Sequence, residues 1–199
     1  MNRLWIWGWL GAMLLAQPAL ADRDPEALAR QWCANCHGAD GNSVSPLFPR
    51  IAGQQAGYLR QQLTMFRDQT RSDAAAHDYM WGVAGGLSDA EIAGVAAFFA
   101  GQAPMPNPAM SDPARIAAGQ AIYQNGKGDA VPACQACHGL KAEGTEQAPR
   151  LAGQHAAYLL KQLHVFNTSQ RPSAVAMQAI IKSLDEEELR ALAAYLQSR

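Results

Sequence analysis

Cysteine is scarce in this chain: four residues in 199, too few for a disulfide scaffold at this length. A basic excess is missing too. With 16 Lys and Arg against 17 Asp and Glu there is no surplus charge to neutralise phosphates, so nucleic acid is not expected as a partner. The apolar run Leu4 to Ala16 falls short of the roughly 20 residues that span a bilayer, and no later segment reaches that length. Alternating apolar and polar stretches of useful length are also lacking, which removes the usual sign of a β-sheet. What remains, 49% hydrophobic and 17% charged residues, suits one or two globular domains and excludes a disordered chain.

The first residues read as a cleaved secretory signal. Met1-Asn2-Arg3 is a short basic start, Leu4 to Ala16 is the apolar core, and Ala19-Leu20-Ala21 supplies the small residues of a cleavage site. Cleavage after Ala21 predicts an exported, periplasmic protein. An uncleaved anchor is the alternative, and the short apolar run argues against it.

The chain is written twice. Cys33-Ala34-Asn35-Cys36-His37-Gly38 returns as Cys134-Gln135-Ala136-Cys137-His138-Gly139, and Pro49-Arg50-Ile51-Ala52-Gly53-Gln54 returns as Pro149-Arg150-Leu151-Ala152-Gly153-Gln154. Tyr58, Leu59, Gln62, Leu63 and Phe66 then meet identical residues 100 positions on, and after a three-residue deletion Met80 meets Met177 and Glu91 meets Glu188. Such agreement implies a duplicated domain. The proline-rich stretch from Gly101 to Pro108 reads as a linker, spanning about 101–112. The expected domains are 22–104 and 105–199, each small enough that a large apolar cofactor would help to complete its core.

Helix signals recur in both copies. Asp24-Pro25 and Asp112-Pro113 each pair an N-cap with proline at the first helical position. Leu59, Leu63 and Phe66, with Leu159, Leu163 and Phe166, define one buried helical face per copy. Ser88 to Glu91 is a capping box that opens a helix through Phe99, and Asp185 to Glu188 repeats the arrangement before a final helix through Leu196. The predicted fold is all-α: two tandem domains, each a few helices wrapped around a bound group.

That group is read from C-x-x-C-H. Two cysteines three apart can each add to a vinyl group of one haem, and the histidine that follows is delivered to the iron. Cys33, Cys36 and His37 form one such motif, and Cys134, Cys137 and His138 the other. The prediction is two covalently bound haem c groups. A shared four-cysteine zinc site and a thioredoxin-like redox pair are the alternatives, but neither accounts for the adjoining histidines.

An iron that carries electrons needs a sixth ligand, and methionine sulfur is the usual partner in cytochromes c. Met80 and Met177 coincide under the repeat and are the candidates. His77 competes with Met80, but Ala174 occupies the nearest equivalent position in the second copy. Met65 reads as core filler, Met105 and Met110 as linker, and His155 and His164 as surface or packing residues. Tyr58, Tyr158, Trp32 and Trp81 read as haem-packing aromatics. The carbonyls of Pro49 and Pro149 are candidate acceptors for the second ring N–H of each histidine, with loop rigidity as the plainer reading. Arg50 and Arg150 either pair with haem propionates or are ordinary solvated charges.

Together these motifs, with Y-L-x-x-Q-L after P-R-[IL]-A-G-Q and methionine ahead of L-[SD]-[DE]-x-E, resemble the dihaem cytochrome c4 family over residues 24–198. The resemblance implies tandem class I cytochrome c domains with propionates directed toward the interface. It implies ligands His37 with Met80 and His138 with Met177, and the Pro49 and Pro149 carbonyls as acceptors. It also implies an electron carrier rather than an enzyme, taking electrons from a quinol-oxidising complex and passing them toward a terminal oxidase. A monomer is expected, with peripheral membrane association left open. A dihaem peroxidase, or a haem subunit of a larger oxidoreductase, is the alternative; a peroxidase would need one iron with a displaceable ligand. Charge adds a further expectation: residues 22–104 hold six arginines against nine carboxylates, and residues 105–199 hold nine basic against eight acidic groups. Halves so unlike in charge suggest that one docks the donor and the other the acceptor.

Overall fold

The computed structural model describes residues 22–108 and 112–199, so the signal segment 1–21 and Met110 lie outside the described residues. The first domain begins with α1 (Pro25–Leu28), a π-helical turn (Ala29–Cys33) and α2 (Ala34–His37), which run on as one helical segment through the cysteine pair. Then come α3 (Ala56–Arg67), a second π-helical turn (Ala76–Met80), α4 (Trp81–Ala84) and α5 (Asp89–Ala100). The second domain contains α6 (Pro113–Asn125), α7 (Gln135–His138), α8 (Ala156–Val165), α9 (Val175–Ile181) and α10 (Glu186–Gln197). Among the described residues the only β feature is an isolated bridge between Lys127 and Val131, and no single helix is long and apolar enough to cross a membrane.

Local chemistry places the helix ends where the sequence puts them. The Asp24 carboxylate accepts from the Glu26 and Ala27 N–H groups, and Asp112 accepts from Ala114 N–H at 3.0 Å. Both capping boxes close: Ser88 Oγ accepts from Glu91 N–H at 3.1 Å while Glu91 accepts from Ser88 N–H at 2.9 Å, and Asp185 and Glu188 do the same at 2.9 and 2.8 Å. Gly38 and Gly139, at φ of 83° and 84°, turn the chain out of the helix directly after each motif histidine.

The copies differ in one respect. In the first domain the helix runs into the cysteines without a break, whereas in the second α6 stops at Asn125 and a loop closed by the Lys127–Val131 bridge intervenes before α7. Both domains cross their first and last helices at a glycine: a methyl group at Gly94 on α5 would run into the Pro25 ring of α1. A methyl group at Gly119 on α6 would run into the Ala191 carbonyl of α10, so only glycine lets these two helices meet at that separation.

Each domain's core is divided. In the first, Leu28, Leu59, Val95, Ala96 and Phe99 form one cluster, and Phe66, Ala76 and Ala84 form another. In the second, Tyr123, Leu159, Leu192 and Tyr195 belong to one cluster, and Leu163, Ile181 and Leu189 make up the other. The two clusters of the first domain face a common cavity.

Glu91 also ties the chain's start to α5. Its buried carboxylate accepts from Arg23 Nε at 2.7 Å, from the Arg23 backbone N–H at 2.9 Å and from Ser88 N–H. These bonds, that from the Arg23 side chain first, hold it at about 2 against an ordinary 4.5. The folded form is therefore favoured above pH 4.5, and that advantage fades as the carboxylate protonates toward pH 2. Glu91→Gln should melt below the parent at pH 7, with the gap closing as pH falls through that window. Circular-dichroism melts that kept a constant gap down to pH 2 would contradict the assignment.

Candidate haem sites and the interface between them

In the first domain Cys33, Cys36, His37 and Met80 all line the cavity, with Leu59 and Phe66 among its apolar walls. The cysteines are brought together by helical spacing, since residues three apart share a face. All four cysteines are free thiols rather than disulfides, Cys36 and Cys137 exposed, Cys33 and Cys134 partly covered. Burial pushes the Cys33 and Cys134 thiols above their ordinary values. The four do not gather at one point, which a shared zinc site would require: among the described residues no group of three His, Cys, Asp or Glu side chains is placed to hold a metal ion.

His37 is buried, and its Nδ1–H donates to the Pro49 carbonyl at 2.9 Å; His138 does the same to Pro149 at the same distance. Because a carbonyl only accepts, the proton sits on Nδ1 and leaves Nε2 as the donor atom for another partner. Burial lowers both imidazoles below their ordinary value, an effect the proline carbonyls partly oppose. Met80 packs beside Phe66 and Ala76, and Met177 takes the corresponding place beside Leu163 and Ile181. His77 stays outside: it pairs with Asp78 at 2.9 Å, and both side chains are well exposed.

The cavity wall is completed from the other domain by Pro149, Arg150 and Tyr158. This joint rests on two reciprocal exchanges. Gln54 Nε2 donates to the Arg150 carbonyl at 2.9 Å while its Oε1 accepts from Arg150 N–H at 2.8 Å; Gln154 treats Arg50 identically, at 2.8 and 2.9 Å. Each copy's P-R-x-A-G-Q segment thus offers its arginine backbone to the other's glutamine. His155, rather than lying at the surface, is buried at this joint and donates through Nε2 to the Ser43 carbonyl at 2.9 Å. His164 is exposed and pairs with Glu186.

Arg50 is not a free solvated charge. Its guanidinium donates to Asn42 Oδ1 at 2.8 Å and to the Met105 carbonyl at 2.7 Å, binding the linker. Both Arg50 and Arg150 border the cavity, and burial lowers each from its ordinary value. Met65, read above as core filler, instead receives a hydrogen bond from Ser173 Oγ across the joint at 3.3 Å. Trp32 lines the cavity mouth, half exposed, and Trp81 Nε1 donates to the Arg71 carbonyl at 2.9 Å.

The largest omission from the sequence reading is a buried cluster at the centre of the joint. Arg71 donates to Gln62 Oε1 at 2.8 Å and to Gln162 Oε1 at 3.0 Å; Arg171 donates to Gln162 Oε1 at 2.8 Å and to Gln62 Oε1 and Tyr58 OH at 3.1 Å. Each guanidinium also stacks on its own domain's phenylalanine, Arg71 over Phe66 and Arg171 over Phe166, at 4.7 and 4.8 Å. A signal existed: Gln62 and Gln162 recur at the same place on otherwise apolar helix faces, and Arg71 and Arg171 keep the same offset.

The family description Cytochrome c matches residues 26–103 and again residues 116–199. The chain belongs to the cytochrome c family, in two tandem domains. A cytochrome c4 of Pseudomonas aeruginosa is 38% identical over 171 residues, covering 83% of this chain and 82% of that protein. The solved cytochrome c4 of Acidithiobacillus ferrooxidans superposes with a TM-score of 0.76 at 36% identity, over 84% of this chain and 98% of that one. A thiosulfate dehydrogenase electron acceptor of Stutzerimonas stutzeri is 35% identical, over 86% of this chain and 79% of that protein. The chain is thus a cytochrome c4-like electron carrier of the class that binds haem c covalently.

The donor set fits that group. Each motif offers two unpaired thiols and a neutral imidazole held by a carbonyl, and the first cavity between split apolar clusters gives the macrocycle a place. At the joint two buried guanidiniums accompany one buried carboxylate, and both Arg171 Nε and Asp73 Oδ1 have no hydrogen-bond partner among the described residues.

Proposed function

We propose that the chain carries two haem c groups and moves single electrons between larger redox complexes outside the cytoplasm. Cys33 and Cys36 hold the first group and Cys134 and Cys137 the second, through thioether bonds. His37 with Met80, and His138 with Met177, would bind the two irons, and the Pro49 and Pro149 carbonyls orient the histidines. Arg50 and Arg150, which border the cavity, would pair with the haem's carboxylates, and the domains divide as 22–104 and 105–199. The observation that carries this reading is the coincidence in one cavity of Cys33, Cys36, a carbonyl-anchored His37 and Met80. The haem would supply the redox chemistry; the histidines and methionines would hold it, and the apolar walls would keep water from it.

Export through the 1–21 segment places the carrier in the periplasm. A quinol-oxidising complex as donor and a terminal oxidase as acceptor fit a soluble two-haem shuttle, with the acidic first half and slightly basic second half orienting the encounters. A second donor is favoured by the relative named as a thiosulfate dehydrogenase electron acceptor: a dehydrogenase of that class. Stopped-flow reduction of the purified protein by each donor class separates the two.

The test is a redox titration of the exported protein followed by visible spectroscopy. Two haems per chain, both low-spin and both with a methionine-sulfur charge-transfer band, are expected. A high-spin haem that binds peroxide would overturn the reading in favour of a peroxidase. Met80→His should lower the first couple and abolish its share of that band, because methionine ligation raises haem potential relative to bis-histidine.

A further inference from the structure

We propose that His155 is a pH-sensitive positioning residue for electron exchange between the domains, holding them together while its ring is neutral and loosening them when the ring takes up a proton. The repeat makes one contact twice across the joint. Gln55 Nε2 donates to the Glu143 carbonyl at 2.9 Å, and His155, which follows Gln154 as Gln55 follows Gln54, donates through Nε2 to the Ser43 carbonyl at 2.9 Å. The glutamine cannot titrate and the histidine can. Ser43 in turn donates through its hydroxyl to the Cys36 carbonyl at 3.2 Å, so the buried ring reaches the segment that carries the first motif.

The ring's other nitrogen sets the sense of the effect. With its proton on Nε2 a neutral imidazole keeps a lone pair on Nδ1, and Asn107 Nδ2 donates to it at 3.2 Å while also donating to the Gly153 carbonyl at 3.0 Å. One side chain thus joins the second domain to the first and to the linker. An added proton would sit on Nδ1 and face the Asn107 N–H groups, and turning that amide over to offer its oxygen would forfeit the bond to Gly153. Burial pushes the His155 ring below its ordinary 6.5; the Ser43 carbonyl opposes this, and the Arg50 charge adds to it. The other charged groups around the ring do not titrate in that range. Asp40, which faces Arg50, is held below its ordinary value chiefly by Asn42, while Arg150 on the preceding loop and Arg199, whose carbonyl lies near Gly153, are permanent cations. In an opened joint the ring regains its ordinary value, so the closed arrangement is fully favoured above pH 6.5 and loses ground as pH falls below it.

The consequence for electron exchange rests on the two-haem reading above, since tunnelling between haems weakens steeply as they separate. The test is hydrogen-exchange protection of the Arg50 and Arg150 amides, which donate across the joint to Gln154 and Gln54, in the whole holoprotein. After correction for the pH dependence of free amides, protection should fall several-fold as pH drops from about 7.5 to about 5.5, with a limiting slope of about tenfold per pH unit for one proton. Electron exchange between the haems after pulsed reduction should slow in step. His155→Gln, which installs the side chain found in the other copy, should keep protection and rate at neutral pH and abolish both pH dependences. Asn107→Asp offers the protonated ring an acceptor and should reverse the trend; it carries the test alone if His155→Gln does not fold. A pH response in His155→Gln equal to the parent's, an unaltered trend in Asn107→Asp, or no response in the parent overturns the proposal. One haem per chain, with protection following pH as expected, would instead defeat the two-haem reading and leave the histidine latch standing.

Discussion

Replacing both Cys33 and Cys36 by alanine should halve the haem that stays with the polypeptide after denaturation, from two groups per chain to one, and unfold the first domain. The reasoning begins with size. A domain matched over residues 26–103 buries little surface on its own, and its apolar residues are divided into two clusters on either side of a cavity. Without the thioethers the clusters face an empty space rather than a macrocycle, losing the contacts that make burial favourable. The second domain keeps its own pair, Cys134 and Cys137, and should keep its spectrum. Haem per chain by absorbance under denaturing conditions, with far-ultraviolet dichroism, reads both effects. Two haems surviving in the variant would show that attachment lies elsewhere.

The second large effect is expected at the joint. Arg71→Ala strands the Asp73 carboxylate, which has no exposure to water, and withdraws a donor from both Gln62 and Gln162. Removing one partner of a buried pair typically costs about 3–5 kcal/mol, because the remaining charge is left without compensation. The expected result is a large fall in the denaturation midpoint together with loosening between the domains. Arg71→Met combined with Asp73→Ala tests the cause, since removing both charges is often close to neutral. A double variant as unstable as Arg71→Ala would mean that the loss comes from the contacts with glutamine rather than from a stranded charge.

The candidate haem sites were legible in the sequence because their chemistry is local. Cys33, Cys36 and His37 lie within five positions on one helical segment, so covalent spacing dictates their arrangement before anything packs. The Pro49 and Pro149 carbonyls and the two methionines followed from duplication, which cancels features that occur only once; that reasoning set His77 aside and kept Met80. Duplication said less about His155. A histidine without a counterpart read as surface or packing, yet its value lies in reaching Ser43 in the other domain.

What the sequence determined alone was the all-α class, the tandem duplication, the capped helices and the two C-x-x-C-H motifs, all of which depend on neighbours a few positions apart or on comparison of one half with the other. Only the tertiary structure decided the joint. The exchange of Gln54 and Gln154 with the opposite backbone, and the sharing of Gln62 and Gln162 by Arg71 and Arg171, connect side chains about a hundred residues apart. Whether a glutamine or an arginine is solvated or buried depends on which surface meets it, and no local periodicity encodes that. The physical reason is the cost of burying polar groups: these side chains can leave water only where their partners are already in place, and those partners belong to the other domain.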